Sequence, residues 1–324
     1  MRAPSLPVAA LLLALMVAAC GGDEDAPGAS GEDRLPVVAT TTQVADLVAN
    51  VGGERVEMQA LLGPDVDPHD YEPRPSDAQA IAEAKVVVRS GGDLDEWLGD
   101  VVESAGTDPE VLTLIDRVET IEGGHGHDDE EHAGEEAAEV DPHWWHDPRN
   151  GVRAVAAIRD ALVQADPGGR AAYERNARAY TERLERLDRE VAACLGAIPA
   201  EQRKLVTTHD ALGYFAERYD VEAIGSVLDS LSTQAQPSAG ETQELIEQMR
   251  AGQVRVVFAE SSVAPRLERA IADEAGARVG EPLWADTLGP DGSTGDTYVK
   301  SIAANAGAMA RGFGGDACDL AAAR

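Results

Sequence analysis

Basic side chains are scarce in this chain of 324 residues, where 27 Lys plus Arg stand against 59 Asp plus Glu for a formal net charge of −32. A surface so acidic repels phosphate, which excludes nucleic acid as a partner and leaves a cationic ligand open. Cysteine is nearly absent, with three residues, and only seven histidines and four tryptophans occur. There is no HExxH pair and no nucleophile motif, so the best-marked routes to hydrolysis are missing. No stretch recurs as a sequence repeat. The apolar fraction of 44% is nevertheless enough to fill the cores of two ordinary domains, which excludes a disordered protein.

The one long apolar run opens the chain. "MRAPSLPVAALLLALMVAAC" has one positive charge, an apolar stretch too short to remain as a spanning helix, and small residues before Cys20, the pattern of a signal peptide over residues 1–19. Val17-Ala18-Ala19-Cys20 resembles a bacterial lipobox, which implies cleavage before Cys20 and acylation of its thiol. The following "GGDEDAPGASGEDR" is a flexible polar tether, residues 20–34 with the lipidated cysteine. The expected location is therefore extracytoplasmic, on the cell membrane. In that oxidising compartment Cys194 and Cys318 form an even pair, read as a disulfide between the end of a long helix and the C-terminal tail. The alternative is two unbridged, small apolar side chains.

After the tether, helix and strand patterns alternate. "LPVVATTTQVADLVANVGG" reads as a β-branched strand, a turn and an amphipathic helix, and "AQAIAEAKVVVRSGGDLDEWL" as helix, strand and loop. The same alternation resumes from "KLVTTH" onward, with "VRVVFAE" as a later strand. Between the two, "GGRAAYERNARAYTERLERLDREVAACLGAI" predicts one helix on the order of 40 Å long. The fold class is α/β: two lobes, each a mostly parallel sheet flanked by helices, joined by a long rigid helix, with a site in the cleft between them. The lobes are expected at 35–165 and 196–324, the linking helix at 166–195, and a His- and acid-rich loop without periodicity at 122–140.

Four loops combine metal-ligand side chains with turn residues at strand ends or helix starts, where α/β sheets build their sites. They are "GPDVDPHDYEPRPSD" with His69, "DPHWWHDP", "TTHDALGYF" with His209, and "LWADTLGPDGSTGDTY" with Asp286. Each histidine alone is unremarkable, but imidazoles with a carboxylate suit a borderline divalent metal such as Zn²⁺ and tolerate Mn²⁺ or Fe²⁺.

At these motifs, in this order, the chain resembles the metal-binding lipoproteins of zinc and manganese ABC importers, the cluster A-I solute-binding proteins. The resemblance implies one metal ion held by His69, His143, His209 and Asp286, a binding role and not an enzymatic one, and as partners the permease and ATPase of a metal importer, with a metallochaperone as a further candidate. It places Trp145 as a packing aromatic and puts His146 where the family usually has leucine, leaving His146 beside the ligands, at the surface, or in competition with His143 for the metal. Three of the seven histidines, His125, His127 and His132, fall in the acidic loop, where zinc-specific members often carry such a segment; weak accessory metal binding and a plain solvated linker are its two readings. Three nitrogen donors favour Zn²⁺, with Mn²⁺ or iron as the alternative. The competing class is a secreted zinc metallohydrolase that uses three of the donors and Asp210 or Asp147 as base.

Overall fold

The computed structural model describes residues 34–123, 140–315, 318 and 320–323. The signal peptide, Cys20, nearly all of the tether, and His125, His127 and His132 lie outside the described residues.

The first lobe is a sheet of four parallel strands in the order β2-β1-β3-β4, made by β1 (Leu35–Ala39), β2 (Val56–Ala60), β3 (Val86–Arg89) and β4 (Glu110–Thr113). The central strands are buried on both faces: Val37, Ala39, Val86 and Val88 enter one core, while Val38 and Val87 enter another on the opposite side. This is why they read as unbroken valine runs with no polar alternation. The crossovers carry α1 (Thr42–Gly52), α2 (Pro75–Glu83) and α3 (Leu98–Ala105). Thr41 caps α1 by accepting from Val44 N, proline opens the first turn of α2, and α3 stops at Gly106 with φ +67°.

Two helices follow. Asp147 caps α4 (Pro148–Ala165) through Arg149 N at 2.8 Å. The long helix α5 runs Arg170–Gly196, 27 residues and about 40 Å. Its start lies four residues beyond the position expected from sequence, because Pro167-Gly168-Gly169 forms a separate 3₁₀ turn capped by Asp166. Tyr173, Ala177, Tyr180, Leu184, Leu187, Val191 and Leu195 form the buried stripe of α5, at spacings of three and four residues.

The second lobe contains β5 (Lys204–Thr207), α6 (Gly213–Tyr219), β6 (Glu222–Ser226), α7 (Ala239–Ala251), β7 (Val256–Val257), α8 (Arg266–Ala275), β8 (Arg278–Val279) and α9 (Tyr298–Phe313). β5 pairs with β6 and β7 with β8, all parallel, and Phe258 N donates to Val206 O at 2.8 Å, which sets β7 beside β5. The two strand pairs are separate two-stranded sheets that this bond sets side by side in the order β6-β5-β7-β8, an arrangement like that of the first sheet without any repeated sequence. The strand expected over "VRVVFAE" is regular only at its two central valines. Cys194 at the end of α5 is bonded to Cys318 of the tail, with Cα atoms 5.6 Å apart.

A single hydrophobic core joins the lobes. Val44 and Val48 of α1, Ile158 of α4, the stripe of α5, Phe215 of α6 and Ile302 and Met309 of α9 are all members of it. The outer face of each sheet has its own smaller core, around Ile81 and Leu98 in the first lobe and around Ile246 and Ile271 in the second.

Candidate metal centre

Each of the four loops singled out above leaves a scaffold element and turns inward. Leu61 N and Leu62 N donate to Ala39 O and Thr40 O, carrying the β2 end forward into a 3₁₀ turn at Pro68–Asp70, where Asp67 caps His69 N at 2.9 Å. His143 sits just ahead of α4, and His209 follows the end of β5 after Thr208. Asp286 lies in the chain after β8, where Asn305 of α9 grips Trp284 by both its N–H and its C=O, at 2.8 and 2.7 Å, and Thr42 accepts from Leu288 N at 2.8 Å.

These loops bring one donor atom from each of His69, His143, His209 and Asp286 within 4.8 Å of one another. His143 Nε2 stands 3.3 Å from His209 Nε2 and 3.4 Å from His69 Nε2. Asp286 closes the group, with Oδ2 3.3 Å from His209 Nε2 and 3.6 Å from His69 Nε2, and Oδ1 3.4 Å from His143 Nε2. The side chains are 3%, 0%, 0% and 1% exposed, so the donors face one another and not water. Neither oxygen of Asp286 makes a hydrogen bond, although the residue is buried. A buried carboxylate left without donors is costly unless a cation satisfies it.

Two carboxylates fix the rings. His143 Nδ1 donates to Asp141 Oδ1 at 2.7 Å, and His209 Nδ1 to Glu260 Oε1 at 2.5 Å, which turns both Nε2 lone pairs toward the centre. Motif reading passed over both residues. Asp141 was visible as the first letter of the "DPH" triplet, and Glu260 as the carboxylate that ends the β7 segment beside β5, at the C-lobe position equivalent to a switch point of the sheet.

The surroundings split the titrations. Burial, with the neighbouring His143 and His209, pushes the His69 imidazole down to about 3, and burial with His209 holds His143 well below the usual histidine range. His209 is also disfavoured as a cation by burial, but Glu260 and Asp286 outweigh it and push the imidazole up to about 10. Burial raises Asp286 to about 8, with His209 working in the opposite sense.

His146 stays outside the four-donor group. It is 1% exposed, its ring lies 5.6 Å from that of Trp145, and burial holds it well below the usual histidine range. Trp145 packs edge-on against His143 with ring centroids 5.4 Å apart and donates to Ala285 O at 3.0 Å, so it braces the His143 and Asp286 loops together. Asp147 is taken up by Arg149, whose Nη2 lies 2.6 Å from Oδ2.

Parallel α/β sheets, a shared core and a buried group of nitrogen and oxygen donors define a two-lobed metal-binding protein. Residues 37–312 match the model of the ZnuA family, described as zinc-uptake complex component A, periplasmic, and the chain belongs to that family. It is the substrate-binding component of a metal ABC importer and not an enzyme, which sets aside the hydrolase reading. The manganese-binding lipoprotein MntA of Bacillus subtilis is 32% identical over 90% of this chain and 94% of its own length. The iron-binding protein YfeA of Yersinia pestis is 29% identical over 87% of each. Among solved structures, the periplasmic zinc-binding protein TroA of Treponema pallidum superposes with a TM-score of 0.76 at 28% identity, covering 86% of this chain and 99% of that one.

Proposed function

We propose that the protein captures one Zn²⁺ ion between His69, His143, His209 and Asp286 and delivers it to the permease of an ABC importer powered by its ATPase. The observation that carries the reading is the spacing of the donors. A tetrahedral zinc with bonds of about 2.0–2.1 Å requires donors about 3.3–3.4 Å apart; His143 Nε2 stands 3.3 and 3.4 Å from the Nε2 atoms of His209 and His69, and Asp286 Oδ2 3.3 and 3.6 Å from the same two atoms, while Oδ1 is the Asp286 oxygen that comes within 3.4 Å of His143. Three nitrogens and one oxygen suit the borderline ion, whereas harder Mn²⁺ favours more oxygen. Four protein donors also leave no position for a reacting water, in keeping with capture and not catalysis.

Mn²⁺ is the second reading, supported by the manganese in the name of the Bacillus subtilis relative; the Yersinia pestis relative is named for iron. Affinity alone does not separate the two, since Zn²⁺ outbinds Mn²⁺ at almost any nitrogen and oxygen site. Uptake of labelled zinc and manganese into cells lacking the protein does. Zinc accumulation is expected to fall while manganese accumulation holds, and the reverse would overturn the zinc assignment.

The lipobox-like segment and the lipoprotein names of relatives support anchoring through acylated Cys20, with the tether holding the lobes near the permease. We assign the N-terminal lobe to residues 35–165 and the C-terminal lobe to 196–324, with the linking helix between, and weak metal collection to the loop histidines His125, His127 and His132.

A further inference from the structure

The three imidazoles are not held alike. His143 and His209 are fixed at their rings by Asp141 and Glu260. His69 is fixed through its main chain, and half of that support comes from the other lobe. Its N–H donates to Asp67 Oδ1 at 2.9 Å, and its C=O accepts from Gln234 Nε2 at 2.7 Å, the same amide reaching Asp70 Oδ1 at 3.1 Å. Asp67 is itself secured by Thr233, whose hydroxyl donates to Oδ2 at 2.6 Å. Thr233 and Gln234 belong to the loop between β6 and α7 of the C-terminal lobe, and Gln234 is exposed.

We propose that Thr233 and Gln234 are positioning residues that latch the His69 turn across the cleft and set how long the metal stays bound. This rests on the reading of His69 as a metal ligand. The physical reason is a contrast in rigidity. His143, His209 and Asp286 emerge from buried segments, and their partners lie in the interior. The 3₁₀ turn at Pro68–Asp70 stands on a loop entered through Asp65, a non-glycine residue at φ +60°, and its hold on the second lobe includes side-chain bonds at the rim of the cleft. Water at that rim replaces those bonds at little net cost, so they are the first to open. Once they open, the loop still keeps the bond from Asp65 N to Thr287 Oγ1 at 3.1 Å, but the turn beyond it can withdraw His69, and a four-coordinate ion becomes three-coordinate with one side exposed. The Gln234 amide and the Thr233 hydroxyl touch neither the ion nor its donor atoms, so their loss acts on release more than on the geometry of the loaded site.

The test is the rate of zinc release from the mature chain mixed with excess chromophoric chelator, for wild type, Thr233→Val, Gln234→Ala, the double variant, Thr233→Ser and His69→Ala. Losing two such hydrogen-bonding groups is expected to speed release about tenfold in the double variant, with one Zn²⁺ still bound per chain, an unchanged Co²⁺ absorption spectrum and an unchanged thermal midpoint in the metal-free state. Thr233→Ser, which keeps the hydroxyl, is expected to release at the wild-type rate. Release from the double variant at the wild-type rate, or equally fast release from Thr233→Ser and Thr233→Val, overturns the latch. Retention of tight zinc by His69→Ala overturns the ligand assignment as well, whereas loss of zinc there with no effect of the double variant overturns the latch alone.

Discussion

Glu260 Oε1 lies 2.5 Å from His209 Nδ1, a contact between two buried residues 51 positions apart that joins the ends of β5 and β7. The same oxygen also accepts from His209 N, so one carboxylate fixes both the ring and the backbone of that residue. Removing it in Glu260→Ala is expected to weaken zinc binding about 10- to 100-fold, the usual effect of losing an orienting partner behind a histidine ligand. Glu260→Gln, which still offers an acceptor oxygen, should lose less. Chelator competition measures both, and equal, wild-type affinities would sever Glu260 from the site.

His143 and His146 make a direct contrast within one short loop. His143→Ala removes a donor at the centre and is expected to lower affinity by orders of magnitude. His146→Ala removes a buried ring that lies beside Trp145 and outside the donor group, with an expected loss of about tenfold or less. The same competition assay ranks them, and the opposite order would mean that the loop turns differently when it holds metal.

Proton release on metal binding follows from the split titrations. His69 and His143 are neutral far below pH 6.5, so they add no pH dependence near neutrality. His209, pushed up to about 10, holds a proton in the metal-free protein that the ion must displace. Asp286, raised to about 8, adds a second. The sign is therefore an apparent affinity that rises with pH, by about tenfold per pH unit for each proton displaced. The rise should flatten for Asp286 above about 8 and for His209 only above about 10. Three free imidazoles would instead place the whole dependence near 6.5. Calorimetry in buffers of differing ionisation enthalpy counts the protons, and a count of zero at pH 7 would contradict this electrostatic arrangement.

The Cys194–Cys318 bridge closes a loop with a sequence separation of 124 residues. Chain-entropy reasoning gives ~4 to 5 kcal/mol of stabilisation for a loop of that size, less any strain. Cys318→Ser, with Cys194→Ser to avoid a free thiol, is expected to lower the thermal midpoint by several degrees while leaving one zinc site, since both cysteines lie outside the donor group. Scanning calorimetry checks the first part and metal titration the second.

Much of this was legible from particular segments. Valine runs ending in threonine or serine gave β1 and β3 as two-faced strands, and the stripe from Tyr173 to Leu195 gave the long helix. The four loops were recognisable because their prolines, glycines or aspartates announce a turn beside a metal-ligand side chain, while the choice of His69, His143, His209 and Asp286, and of His143 over His146, came from the family resemblance. The supporting groups were not. Glu260, Thr233 and Gln234 act through partners 51 to 166 residues away, and only the chain's path brings them together, whereas Asp141 stands two residues before its partner His143. The likeness of the two strand arrangements was also hidden, because strand pairing is a long-range property that valine content does not encode. The pH dependence was hidden for the same reason: an unperturbed histidine value ignores the carboxylates that folding packs against His209.

The core that runs unbroken through α1, α4, α5 and α9 decides what kind of machine this is. Swinging one lobe away from the other as a rigid jaw would peel Leu184, Leu187 and Val191 of α5 from neighbours on both sides, and each such buried side chain resists exposure by about 1.5–3 kcal/mol. An extracytoplasmic protein has no nucleotide of its own to supply that work. With the latch proposed above, the scaffold acts as an anvil, and release begins at the rim, where a few polar contacts hold the His69 turn, at less cost than separating the lobes.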